Sequence, residues 1–233
     1  MGRVLPLRPD PLDPPPRGRP PRPRLVPAPR EPGGVLMSLL DGWAVDDWGR
    51  DHTLVRAASW ITRRRWDVEV NGADLLPGSG PAMIVANTRR FALTPWALAL
   101  MVGHEIGRPV RFVGRPDIAP VGPLARRLGG LLDRVDEVTG ALRAGQIVLV
   151  GADGVFDPRR VGVVDHRLVG AAVSVGAPVF PAAASISVTG RNARVDIIPV
   201  GRPPLRRRGP LAELELTDRV RADVIRILAE FGG

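Results

Sequence analysis

The stretch Pro81-Ala82-Met83-Ile84-Val85-Ala86-Asn87-Thr88-Arg89-Arg90-Phe91-Ala92-Leu93-Thr94-Pro95-Trp96 reads as a buried strand that stops at a polar turn and restarts as a helix. Ala82 to Ala86 is a short apolar run of the kind that fills the middle of a covered sheet. Asn87 ends it, and Thr94-Pro95 offers an N-cap followed by a proline at the first helical position. Such a turn places its side chains at the carboxyl end of a sheet, where α/β proteins keep their sites.

Outward from this stretch, further units of the same kind follow. Pro109-Val110-Arg111-Phe112-Val113 predicts the next strand, and Leu124 to Leu128 a short helix after it. Asp136 to Ala144 predicts a helix, Gln146 to Val150 a buried strand, and Asp165 to Val175 a helix with small residues suited to close packing. Residues 184 to 200 supply further strands, notably Val195 to Val200, and an amphipathic helix capped by Thr217 runs to about Phe231. Asp67 to Gly72 alternates like a half-exposed strand and ends in a hairpin-type dipeptide. The expected fold class is therefore α/β: a mixed, largely parallel central sheet flanked by helices.

Before the domain lies a different composition. Residues 1–34 hold seven arginines against Asp10, Asp13 and Glu31, a net +4 of the chain's +9, together with twelve of its 26 prolines. Too little apolar surface and too many prolines predict a disordered tail over 1–34, with the domain spanning 35–233. A secretory signal would need an apolar core after the early arginines, and none follows. No run of about 18 apolar residues appears, so the expected location is cytoplasmic, with membrane contact confined to a surface on the inner face.

All 33 positive side chains are arginines, and there is no cysteine or tyrosine. The absence of cysteine excludes disulfides, thiolate catalysis and cysteine-ligated zinc. The three histidines, His52, His104 and His166, have no metal-site spacing among them, which argues against a metalloenzyme and for no bound cofactor. Specific nucleic-acid binding is not expected, because the arginine-rich tail has no interleaved aromatics and belongs to no known module.

The helix predicted from Asp51-His52-Thr53 to about Trp66 carries Leu54, Val55, Ala58 and Ile61 on one stripe and closes on Arg63-Arg64-Arg65. Two readings stand for it: a core-packing helix with cations at its C-terminus, or a basic interfacial helix that meets anionic lipid through Trp60 and Trp66.

The turn residues carry a resemblance. Ala86-Asn87, a short turn and an apolar helix resemble the first motif of the glycerolipid acyltransferase superfamily, which makes phosphatidic acid from lysophosphatidic acid. The family holds a His after the Asn and an Asp five positions later; here Thr88 and Leu93 occupy those slots. Gly129-Gly130-Leu131-Leu132-Asp133-Arg134 resembles the second motif, which would make Arg134 a ligand for the acceptor phosphate. Without the resemblance, Arg134 is a surface residue paired with Asp133 or Asp136. Gly151-Ala152-Asp153-Gly154 stands where the family has Phe-Pro-Glu-Gly, and Pro178-Val179-Phe180-Pro181 matches the fourth motif. The two prolines suggest a sheet edge or bulge beside an acyl site.

The resemblance covers roughly residues 50 to 231. It implies acyl transfer from acyl-CoA or acyl-carrier protein to a glycerolipid hydroxyl, with phospholipid or lysophospholipid as partner. Asn87, Arg89, Arg90, Arg134, Asp153, Gly154, Pro178 and Pro181 are the implied substrate-binding positions. In the family the His acts as general base on the acceptor hydroxyl and the Asp orients it. Thr88 cannot take a proton near neutral pH and Leu93 orients nothing, so the sequence implies impaired transfer, or a non-catalytic relative that binds lipid or regulates an active protein. His104, sixteen residues on, is expected near the far end of the helix that follows the turn.

Overall fold

The computed structural model describes residues 45–88, 93–152, 161–187, 189–199 and 209–231. The 1–34 tail, Arg89, Arg90, Asp153 and Gly154 lie outside the described residues. The elements, in order, are α1 (His52–Arg65), β1 (Asp67–Asn71), a 3₁₀ turn (Ala73–Leu75), β2 (Ala82–Ala86), α2 (Leu93–Glu105), β3 (Val110–Val113) and α3 (Val121–Arg127). There follow β4 (Gly130–Leu131), α4 (Val135–Arg143), β5 (Ile147–Gly151), α5 (His166–Val175), β6 (Val179–Ile186), β7 (Asn192–Ile197) and α6 (Pro210–Glu230).

The fold is α/β. One seven-stranded sheet has the order β1-β7-β6-β2-β5-β3-β4. β6, β2, β5, β3 and β4 run parallel, whereas β7 is antiparallel to β6 and carries β1 alongside in its own direction. β2 is central and every residue from Ala82 to Ala86 is fully buried. Alternation splits its side chains between two cores. Met83 and Val85 pack with Val148, Val150 and the inner faces of α4, α5 and α6; Ala82, Ile84 and Ala86 pack with Ile147, Leu149 and the Leu98–Val102 stripe of α2. Helices thus cover both faces, which a mainly parallel sheet requires.

Local chemistry sets several boundaries. The Asp51 carboxylate accepts from the amides of Thr53 and Leu54 and caps α1; the Asp165 carboxylate accepts from the Arg167 amide and caps α5. Gly176 ends α5 in the left-handed conformation, φ 73°, which favours glycine.

Several expectations change. α2 already includes Leu93, so Thr94 and Pro95 lie inside its first turn; a proline there loses no helical hydrogen bond, because first-turn amides have no acceptor anyway. α3 begins at Val121, not Leu124. α6 starts at Gly209-Pro210, seven residues before Thr217, which is buried mid-helix with its hydroxyl donating to the Glu213 carbonyl at 2.7 Å. β7 starts at Asn192 and stops at Ile197. Asn71-Gly72 makes no hairpin: β1 pairs only with β7, and Gly72 turns the chain at φ 74° into the 3₁₀ segment.

The proline-bearing strand β6 is interior, not an edge. Its first residues pair only with β2, and the β7 ladder begins at Ala182. The Pro181 carbonyl accepts from the Ile198 amide at 3.1 Å, but Pro181 has no N–H to return to the Ile198 carbonyl, and the β7 ladder ends there.

Candidate functional site

Parallel strands bring their carboxyl ends to one rim, and the order β2-β5-β3-β4 dictates what stands along it. Asn87 and Thr88 follow β2, Ala152 follows β5, Arg115 follows β3, and Arg134 follows β4. α5 also starts on this side, since it lies between β5 and β6, which both run parallel to β2.

Asn87 is engaged by the scaffold. Its Nδ2 donates to the Ala184 carbonyl at 3.0 Å and its Oδ1 accepts from the Ala184 amide at 2.7 Å. The side-chain amide therefore extends the β2–β6 ladder by one rung after the β2 backbone has turned away. Thr88 is only 2% exposed, and its hydroxyl has no hydrogen-bond partner among the described residues. It lies against Gly151: a Cβ at that glycine would come within 2.5 Å of the Thr88 carbonyl oxygen and 2.9 Å of its hydroxyl. The turn after β2 thus places a buried hydroxyl against the end of β5. Leu93 begins α2.

None of the three histidines bonds to Thr88. His52 and His166 are the exposed first residues of α1 and α5. His104 lies in the last turn of α2, eleven residues and about 16 Å along the axis from Leu93, where its Nε2 meets Nη1 of Arg63. Partial burial first, then the charge of Arg63, holds its pKa below the ordinary imidazole value.

The rim carries the guanidinium groups of Arg115 and Arg134 beside the carboxylates of Asp117 and Glu137. Arg134 is exposed, at the N-cap position of α4, with extended backbone. Arg115, a residue the sequence reading passed over, has a side chain only 12% exposed. It reaches Asp117 at 3.6 Å and Glu137 at 3.9 Å, and its Nε is buried with no hydrogen-bond partner among the described residues. It lines an open groove of about 520 Å³ with Arg126, Arg127, Ile118 and Pro123. The only sequence signal for Arg115 is its place two residues beyond a strand. Pro181 is buried inside the sheet opposite Val85, and Pro178 precedes β6 at the amino edge, exposed, its carbonyl accepting from the Met83 amide.

Among the described residues there is no group of three metal-ligating side chains and no helix long and apolar enough to cross a membrane. Along this rim Arg134 is exposed, Arg115 is set against the carboxylates of Asp117 and Glu137, and Thr88 adds a buried, uncharged hydroxyl.

No family model and no curated protein sequence matches the chain. Its fold is similar to that of the 1-acyl-sn-glycerophosphate (LPA) acyltransferase PlsC from Thermotoga maritima, with a TM-score of 0.59 and 18% sequence identity over 86% of this chain and 88% of that one.

Proposed function

We propose that this chain is an acyltransferase-like protein of the glycerolipid type that binds a phosphorylated lipid at the rim formed by β2, β5, β3 and β4, and that its acyl transfer is impaired. The observation that carries the reading is a buried threonine hydroxyl, in a fold similar to an LPA acyltransferase, at the position where the motif resemblance expects the general base. Arg134 and Arg115 supply the positive charge an acceptor phosphate needs, because a guanidinium can grip two phosphate oxygens at once. The acyl donor would be acyl-CoA or acyl-carrier protein. Without a base, a transfer step loses about 10²- to 10⁴-fold in rate.

A second reading, a non-catalytic lipid binder or regulator of an active relative, is favoured by the same residue. Thr88 is packed onto Gly151 instead of facing an open site. In both readings the protein meets the anionic inner face of a membrane as a peripheral protein. α1 supports this: it exposes Trp60 at 52% and Ile61 at 58% beside Arg56, Arg63 and Arg64, and it carries no acidic residue.

Flotation of the purified full chain with liposomes containing phosphatidic acid tests the lipid reading. Association is expected, unchanged by Thr88→Ala and weakened at least threefold by Arg134→Ala. A chain that stays at the bottom of the gradient with anionic and neutral liposomes alike contradicts it.

A further inference from the structure

Away from the rim lies a second concentration of guanidinium charge. Arg111, the second residue of β3, is 1% exposed, and Arg50, in the turn before α1, is 9% exposed. Arg111 pairs across the sheet with Val148, which pairs with Met83, so it sits five residues short of Thr88 along the strands, about 16 Å toward the amino edge. Its Nη2 donates to Asp46 Oδ2 at 2.5 Å and its Nε to Gln146 Oε1 at 3.1 Å, and the Trp48 ring lies 5.8 Å from its Cζ. Its Nη1 is buried with no hydrogen-bond partner among the described residues, and so is the Nε of Arg50.

Charge does not balance here. Asp46 pairs with Arg111 and accepts from the amides of Trp48 and Arg50, while the Arg50 guanidinium forms no ion pair among the described residues. Burial, then the charge of Arg111, pushes the pKa of Arg50 down to about 10, still far above neutrality, so Arg50 stays charged, and Arg111 is held charged by its ion pair with Asp46. Buried cations with unmade hydrogen bonds are among the costliest features a fold can carry. Each free donor needs an acceptor, and the residual charge of one calls for a single negative charge.

The surroundings are close-packed. A Cβ at Gly129 would lie 3.4 Å from Arg50 Cδ, and one at Gly140 would lie 3.1 Å from the Trp48 ring. A small ion suits such a place; a phosphoryl or acyl headgroup does not.

We infer that Arg50 and Arg111 form an interior site for a small monovalent anion of the halide class, which completes the contact between the segment 45–51 and the amino half of β3. The site is independent of the lipid reading. It makes the packing of the turn that leads into α1 dependent on anion concentration.

Thermal unfolding of the full chain at constant ionic strength tests it, with sodium gluconate replaced stepwise by sodium chloride or bromide. The expected result is a saturable rise in Tm of about 5 °C over the millimolar range, the signature of a ligand bound by the folded state alone. Arg50→Met should abolish the halide response, whereas Arg126→Gln, an exposed arginine beside the same turn, should retain it. Broadening of the chloride-35 NMR line by the wild-type protein, removed by bromide and absent in Arg50→Met, is the matching binding readout. A wild-type Tm indifferent to halide, or an equal response in Arg50→Met, overturns the site.

Discussion

Gly151 and Thr88 share one small volume at the end of β5, and what each can become follows from that contact. A methyl group on Gly151 would press on a carbonyl oxygen that cannot rotate away. Gly151→Ala should therefore destabilise the protein by about 1–3 kcal/mol, as overpacking does, measurable by urea unfolding. Thr88→His should behave similarly, because an imidazole is larger than the buried hydroxyl it replaces. That substitution should not produce acyl transfer, since a base packed against β5 cannot reach an acceptor. Asn87 gives a third outcome. Its side chain satisfies both main-chain groups of Ala184, itself only 8% exposed, so Asn87→Ala should cost about 1–3 kcal/mol through the orphaned amide and carbonyl. A substitution that leaves stability unchanged would mean that water replaces the rung without loss.

At the scale of elements, two segments make separable predictions. α1 buries Val55 and Thr62 while Ile61, which the periodicity assigned to the packed stripe, is exposed. Ile61 and Trp60 can therefore be changed without disturbing the core. The double change Trp60→Ser and Ile61→Ser should leave stability within about 0.5 kcal/mol and reduce flotation with anionic liposomes several-fold. The turn before α1 responds to pH. Burial alone would raise the Asp46 carboxyl, but the Arg50 amide, the charge of Arg111 and the Trp48 amide hold it below its ordinary value. A carboxyl whose folded pKa is depressed adds stability above its unfolded pKa, near 4, and loses it as pH falls through the lower folded value. Asp46→Asn should thus lower stability at neutral pH and flatten its decline as pH falls below the ordinary carboxyl range, as followed by the denaturant midpoint.

The sequence made parts of these elements readable and hid others for physical reasons. β2 and β5 are continuous apolar runs between turn residues, β3 is apolar but for Arg111, and the Asp51 and Asp165 caps act within three residues, so local pattern sufficed. The Gly209-Pro210 start of α6 was equally local, a proline at the first helical position, but Thr217 offered a competing cap and was favoured. The interior place of β6 could not be read, because whether Pro181 costs a rung depends on where β7 stops. Nor could the Asp46–Arg111 pair, whose partners lie 65 residues apart. At the rim, the positions of Asn87, Thr88 and Arg134 followed from the strand ends. The burial of Thr88 did not, since it depends on Gly151 of a neighbouring strand.

For the whole molecule, the sheet order is what gathers Thr88, Ala152, Arg115 and Arg134 along one edge, and the fold is similar to that of a lysophosphatidic acid acyltransferase. In the proposed reading the scaffold suits an anionic lipid and lacks a proton acceptor where one is needed. The most direct test is the rate at which the purified full chain transfers a labelled acyl group from acyl-CoA or acyl-carrier protein to lysophosphatidic acid. Typical enzymes turn over at about 10 s⁻¹, and loss of the general base should bring this chain to about 0.1 s⁻¹ or below. Turnover near 10 s⁻¹, undiminished by Thr88→Ala, would contradict the account by showing that another base serves the site.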